Sequence, residues 1–223
     1  MKPFEFSTPI RTERLVIRPI TTSDNDVDDL HGQQSNAALT TYMLYEPRDR
    51  ATIVNKIAEW TASERLAESG DYVQLAIELA DAVPPSAEHI GGPAVSAAGV
   101  SDLTPAVASA AERRPVMIGT LYFKIESAED SNAEIGWALH PDFQGKGYAR
   151  EATSALLDLA FDELELHRVF ANLDPRNNDS VRLCLALGMR HEAHHVEDMW
   201  FKGSWADTGI YAILDRWWAA QRS

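Results

Sequence analysis

AEIGWALHPDFQGKGYAREA, residues 133 to 152, sets a strand-like run, a glycine-containing loop and a helix start in immediate succession. This is the layout of an anion site. The first backbone N–H groups of a helix have no partner within it, and the aligned peptide dipoles add partial positive charge at the same end. Gly145 and Gly147 let the main chain come close to a bulky diphosphate, Ala149 keeps the first turn uncluttered, and Lys146 and Arg150 can add charge at the rim. Two neighbouring glycines also suit a plain strand-to-helix turn, so their meaning depends on the rest of the chain.

The 223 residues are 45% hydrophobic, enough for one ordinary globular domain with a real core. A formal charge of −14 argues against a nucleic-acid binder, which must neutralise phosphates with clustered Lys and Arg, and it disfavours anionic membranes. An acidic surface serves as a solubility device or draws in cationic substrates such as amines. Cys184 is the only cysteine, which excludes an internal disulfide and makes a reducing cytoplasm the expected compartment. The opening MKPFEFSTPIRTERL has no uninterrupted apolar run, and no segment approaches the roughly 18 apolar residues of a membrane span.

RLVIRPI (14–20) predicts a strand, and Thr21-Thr22-Ser23-Asp24 supplies cap residues for a helix over 24–34. Ile53, Ile57 and Trp60 recur at helical spacing and predict an amphipathic helix over 49–69. YVQLAIEL (72–79), VMIGTLYFKI (116–125), NAEIGWALH (132–140) and HRVFANLD (167–174) read as strands. The helix that starts after the loop continues through REATSALLDLAFDEL, and DSVRLCLAL forms a short helix stopped by Gly188 in a left-handed cap. Residues 80–115, dominated by Ala, Pro, Gly, Ser and Val, read as an insertion that makes a mobile surface excursion rather than a second domain. A substrate-covering lid is the alternative there.

HEAHH (191–195) matches the zinc-protease pattern His-Glu-x-x-His, which works only on a helix, where the two histidines share a face. Here it begins three residues past Gly188, in a stretch that reads as two strands joined at Lys202-Gly203-Ser204. On a strand, histidines four apart are separated by about 13 Å, too far to share one ion. No His or Glu follows residue 197 as a third ligand, and no metal is expected. Trp200, Trp205, Trp217 and Trp218 are expected in the core, with packing across a dimer as the alternative.

Gln144, Gly147 and Ala149 fit the motif Q/R-x-x-G-x-G/A. With the ordered blocks RTERLVIRPI, AEIGWALHPDFQGKGYA, HRVFANLDPRNNDSVRLCLALGM and FKGSWADTGIYAIL, the chain resembles the GCN5-related N-acetyltransferase (GNAT) superfamily. The nearest branch is that of ribosomal-protein N-terminal alanine acetyltransferases, and the resemblance spans nearly everything except 80–115. It implies a single domain over 1–223 with an α+β fold: a mostly antiparallel, twisted sheet of about seven strands whose central strands splay, flanked by helices. It also implies acetyl-CoA as co-substrate. Its diphosphate would lie on Gln144, Gly145, Lys146, Gly147, Tyr148, Ala149 and Arg150, and its pantetheine arm along Trp137, Ala138 and Leu139 where that strand parts from 167–174. A thioester carbonyl set against a free strand-edge N–H has a ready oxyanion donor.

Acyl transfer to an amine needs the amine neutral and the leaving thiol protonated. A lysine amine titrates near 10.4 and an N-terminal amine near 7.8, so the base need not be strong. Glu134 occupies the place where related enzymes often carry a glutamate base; its other reading is an exposed strand residue. Asn172 stands where some relatives have a second glutamate, and by the resemblance it is placed with the cofactor-binding residues. The tyrosine that many members offer as general acid corresponds to Cys184, which reads as a core residue rather than a nucleophile. Asn177 and Ser180 match residues that contact the cofactor's sulfur region in this branch. Ser180 is therefore either the donor to the departing thiolate or only a capping residue. The acceptor is a protein N-terminus or a small-molecule amine, and the enzyme a monomer or homodimer. The competing reading is a catalytically silent, CoA-binding regulatory module of the same fold.

Overall fold

The computed structural model describes residues 1–37, 40–61, 65–80 and 115–222. The expectations of a mobile excursion or a lid at 80–115 fall almost wholly outside the described residues. Two short strands, β1 (Phe4–Glu5) and β4 (Arg65–Leu66), pair with each other. The rest form one sheet: β2 (Ile10–Arg11), β3 (Leu15–Pro19), β5 (Tyr72–Leu79), β6 (Met117–Ser127), β7 (Asn132–Leu139), β8 (Arg168–Leu173), β9 (Arg190–Phe201) and β10 (Ser204–Leu214). Their order is β2-β3-β5-β6-β7-β8-β10-β9, and every pairing is antiparallel except β7 with β8. Eight strands stand where about seven were expected, since β2 is too short to leave an alternating pattern.

The parallel pair governs the site. β7 stays with β6 from Asn132 to Leu139, and β8 stays with β10 from Arg168 to Leu173. Between β7 and β8 the register holds only at Asn132, Ala133 and Glu134 against Arg168, Val169 and Phe170. Beyond Glu134 the strands part and leave an open slot.

One face of the sheet carries α1 (Asp24–Gln34) and α2 (Arg50–Trp60), whose Val27, Leu30, Ile53 and Ile57 bury against Ile20, Ala76 and Met117. Ser23 caps α1 by accepting from the Asp26 amide, as its position in the sequence suggested, and Asp49 caps α2 through Thr52. α2 ends at Trp60 rather than 69, because Leu66 is buried from β4 opposite Phe4 instead of continuing the helical stripe. The other face carries α3 (Tyr148–Asp158), its π-helical continuation Leu159–Glu163, α4 (Asn178–Ala186) and α5 (Asp215–Arg222). Leu156, Leu157, Ala160, Cys184 and Trp218 from these helices pack on Leu121, Phe123, Ile135 and Val169.

Helix α5 left no clear trace in the sequence pattern. It is held by tertiary contacts: Trp218 Nε1 donates to Asp158 at 2.9 Å, and Arg222 reaches Asp158 and Asp162 at 2.7 and 2.8 Å. Of the four C-terminal tryptophans only Trp218 is buried. Trp200 and Trp205 correct the core expectation, being 62% and 55% exposed and stacked edge to face at the tip of the β9–β10 hairpin. Gly188 takes the expected left-handed conformation, φ 76°, after α4.

HEAHH lies on strand β9. His191 opposes Tyr211, His195 opposes Thr208, and His194 Nε2 is 2.7 Å from Asp207. Among the described residues no three His, Cys, Asp or Glu side chains gather as a metal-holding group, and no helix is long and apolar enough to cross a membrane.

Candidate active site

Strand alternation gives β7 two sets of side chains. Ala133, Ile135, Trp137 and Leu139 join the core under α3 and α4. Glu134, Gly136 and Ala138 point to the opposite face, beside their β6 partners Lys124, Tyr122 and Thr120. That is the α1–α2 face, since Thr120 is also paired with Ala76, which packs under those helices. The slot therefore connects the two faces of the sheet.

It opens into a cleft of about 820 Å³. Gln144, Gly145, Gly147, Tyr148, Ala149, Arg150, Asn177 and Ser180 line it from the α3–α4 face, and Trp137, Ala138 and Leu139 from the strand edge. Eleven of the sequence-predicted residues are thus brought together there. Lys146 is not: its Nζ turns back to the Asp142 carbonyl at 2.7 Å and over the Phe143 ring, so the cations on the cleft lining are Arg150 and Arg182, the latter paired with Asp179. Glu134 and Asn172 do not line the cleft either. They form a pair at the closed end of the slot, with Asn172 Nδ2 donating to Glu134 Oε1 at 3.0 Å.

The loop is built to leave donors free. A 3-10 turn over Pro141–Phe143 brings the chain round, and Gln144 Nε2 ties it to the Leu139 carbonyl at 2.9 Å. Gly147 is the N-cap of α3 at φ 81°, a left-handed conformation that side chains resist, and it offers no side-chain cap. Among the described residues the amides from Gly145 to Arg150 have no hydrogen-bond partner; the first to be satisfied is that of Glu151, by the Gly147 carbonyl at 3.0 Å. Partial positive charge and unused donors thus converge at the cleft.

Arg14, just before β3, braces this loop from outside. Its Nε donates to Glu151 Oε2 at 2.6 Å, its Nη1 to the Lys146 carbonyl at 3.0 Å, and its guanidinium lies 4.6 Å over the Tyr148 ring. Burial pushes the Glu151 carboxyl up, but the hydrogen bonds from Thr12 and Arg14 outweigh it and hold the group below the usual carboxylate range. Sequence reading had no means of joining positions 137 residues apart.

On the same face, Asn177 Oδ1 accepts from the Ser180 amide at 3.1 Å, so Asn177 caps α4 and Ser180 does not. The Ser180 hydroxyl instead accepts from Trp137 Nε1 at 3.3 Å and ties α4 to β7 across the slot. Cys184 is fully buried one turn further on, its thiol pushed up to about 12 by desolvation, which removes the thiolate a nucleophile needs.

On the α1–α2 face, burial pushes the Glu134 carboxyl up, and the bond from Asn172 and the Lys124 charge offset only part of that, so its net shift is upward. Gln33, Gln34, Tyr42, Met43, Tyr45 and Thr120 form the rest of the cleft wall on this side. Sequence reasoning missed that wall, because a helix end and the loop after it carry no pattern of their own.

A slot split open at one parallel strand pair, faced by a bare helix start, is the architecture of an acetyltransferase. A model of the acetyltransferase (GNAT) domain matches residues 14–190, and the chain belongs to that family. The uncharacterized N-acetyltransferase YnaD of Bacillus subtilis is 41% identical over 85 residues, 38% of this chain and 50% of that protein. The [ribosomal protein uS5]-alanine N-acetyltransferase of Escherichia coli is 28% identical over 88 residues, 40% of this chain and 45% of that protein. The chain thus spans about half the length of the curated relatives it matches. Spermidine N-acetyltransferase from Vibrio cholerae, solved with CoA and spermine, superposes with a TM-score of 0.66 over 93% of this chain and 99% of that one, at 19% identity. That likeness establishes a common fold.

Proposed function

We propose that the protein is an acetyl-CoA-dependent N-acetyltransferase that passes the acetyl group directly to a primary amine. One observation carries this reading: the two candidate proton-transfer residues flank a single slot from opposite faces. Ser180 lies beside the loop with free amides, and Glu134 on the side away from it. The open amides of residues 145–150 suit a diphosphate, and Gly145 leaves room for close approach, with nothing within 4 Å of where a Cβ would stand. Acetyl-CoA supplies an activated acetyl group as a thioester.

The chain's own residues divide the remaining work. Trp137, Ala138 and Leu139 offer a strand edge without a β8 partner, whose main-chain groups can hold an extended arm. An amine arriving from the α1–α2 face loses its proton to Glu134, through water because the carboxylate stands back from the cleft, and its nitrogen bonds the acetyl carbon as the C–S bond breaks. The Ser180 hydroxyl, held by Trp137, donates to the leaving sulfur. The amine class includes peptide N-termini and small molecules, in keeping with the names of the E. coli and V. cholerae proteins. A single domain over 1–223 acting in the cytoplasm completes the reading, supported by the lone, buried cysteine.

Thiol release from acetyl-CoA in the presence of a panel of amines tests it. Turnover is expected, with kcat lowered about 100-fold in Glu134→Gln and less in Ser180→Ala. CoA binding without thiol release for any amine would instead favour a silent CoA-binding module.

A further inference from the structure

Gln33 and Gln34 end α1 side by side, both line the cleft, and both are nearly buried, at 5% and 6% exposure. Each amide is held by one end. Gln33 Nε2 donates to the Met117 carbonyl at 3.1 Å, and a carbonyl can only accept, so the nitrogen must point to it and Oε1 faces the other way. Gln34 Oε1 accepts from Arg48 Nη1 at 2.8 Å, and a guanidinium can only donate, so here the oxygen is the end that is held and Nε2 the end left over. Among the described residues neither free end has a partner. Partner chemistry thus settles the orientation of both amides.

On two adjacent residues of the wall, one acceptor, Gln33 Oε1, and one donor, Gln34 Nε2, are thus left uncommitted. A secondary amide carries the complementary pair, a carbonyl and an N–H. Tyr42, Met43, Tyr45 and Thr120 complete this end of the cleft; the one carboxylate on the cleft lining, Asp179, belongs to α4 and is paired with Arg182, so no row of carboxylates stands here to hold a polycation. Arg48 is stacked 3.9 Å over the Tyr45 ring, and among the described residues it makes no ion pair, so Gln34 is its one side-chain hydrogen-bond acceptor. These residues stand on the α1–α2 face, whereas the loop with free amides stands on the other.

We infer that Gln33 and Gln34 are specificity residues that read a secondary amide next to the acceptor's amine, as at the start of a polypeptide chain. Gln34 Nε2 donates to the amide carbonyl and Gln33 Oε1 accepts from its N–H. Arg48 is a positioning residue that keeps Gln34 from flipping. The inference rests on the acetyl-transfer reading above.

The test compares alanine N-methylamide with alanine methyl ester, which keeps the carbonyl and loses the N–H, and with a simple alkylamine, each by thiol release at saturating acetyl-CoA. The amide is expected to exceed the ester in kcat/KM by about tenfold, the effect of leaving Gln33 Oε1 unpaired. A hexapeptide beginning with alanine, run alongside, separates a polypeptide acceptor from a small amide, and either one outranking the ester supports the inference. Gln34→Glu keeps the bond to Arg48 but replaces the uncommitted donor by an acceptor; KM for the amide should rise about tenfold with KM for acetyl-CoA unchanged. Arg48→Met should do the same more weakly, with Arg48→Lys restoring part of the loss. Equal use of amide, ester and alkylamine, or a raised KM for acetyl-CoA in Gln34→Glu, overturns the inference while leaving acetyl transfer standing. No thiol release with any amine overturns both.

Discussion

Glu134 owes its candidate role to the last paired position of the β7–β8 ladder, where it is half-buried yet still has a hydrogen-bond donor in Asn172. Burial raises its pKa and the Asn172 bond lowers it, so the two variants move the pH profile differently. The rate should fall as pH drops through the Glu134 pKa. In Asn172→Ala, with the charged form no longer stabilised by that bond, the acidic limb of kcat/KM should shift to higher pH. In Glu134→Gln that limb should vanish. A limb unmoved in both variants would assign it to another group. Position 134 was legible in sequence only through resemblance, because a glutamate on a strand is as often a solvated side chain as a base. Its partner Asn172 lies 38 residues away, and their contact depends on where two parallel strands stop pairing.

At the scale of elements, α1 joins stability to the cleft wall. Its C-terminal end carries Gln33 and Gln34, while near its start Asp26 pairs with Arg18 of β3 at 2.6 and 2.8 Å, and Arg18 also reaches Glu78 of β5 at 2.5 Å. Burial pushes the Asp26 carboxyl up, but the bonds from Arg18 and Thr21 prevail and hold it below its ordinary value. The stability this contributes is present in full above the ordinary carboxylate pKa and is lost as pH falls through the lowered one. Asp26→Asn should therefore destabilise the fold by roughly 3 kcal/mol near pH 7 in urea unfolding, with a smaller difference from the parent in strong acid. An unchanged gap between the two at low pH would refute the assignment. The strands and helices with long periodic patterns were readable because alternation and 3.6-residue spacing are imprinted on every turn. The end of α2, the short strands β1, β2 and β4, and helix α5 were not, since each is fixed by a partner elsewhere in the chain: Phe4 for Leu66, and Asp158 for Trp218.

For the whole molecule, the sheet acts as a partition. α3 and α4 bring the amides of 145–150 and Ser180 to one side of a slot, α1 and the loop after it bring Gln33, Gln34, Tyr42 and Tyr45 to the other, and β7 and β8 part to join them. The loop was the most legible part, because glycine, helix start and free donors are local properties of a few consecutive residues. The acceptor wall was the least legible, because it exists only once α1 has been laid across the sheet. On the proposed reading, the same partition lets a chain of formal charge −14 take a polyanion: the attraction would come from main-chain N–H groups and a helix end, with Arg150 and Arg182 on the cleft lining, and not from net charge. The most direct test of that claim is a calorimetric titration with acetyl-CoA of the parent protein and of Gly147→Glu, which sets a carboxylate and a strained left-handed residue where the diphosphate should lie. The parent should bind one equivalent, and the variant should bind at least tenfold more weakly, a loss of about 1.4 kcal/mol or more. An absence of heat for the parent at millimolar acetyl-CoA, or equal affinity in the two proteins, would contradict it.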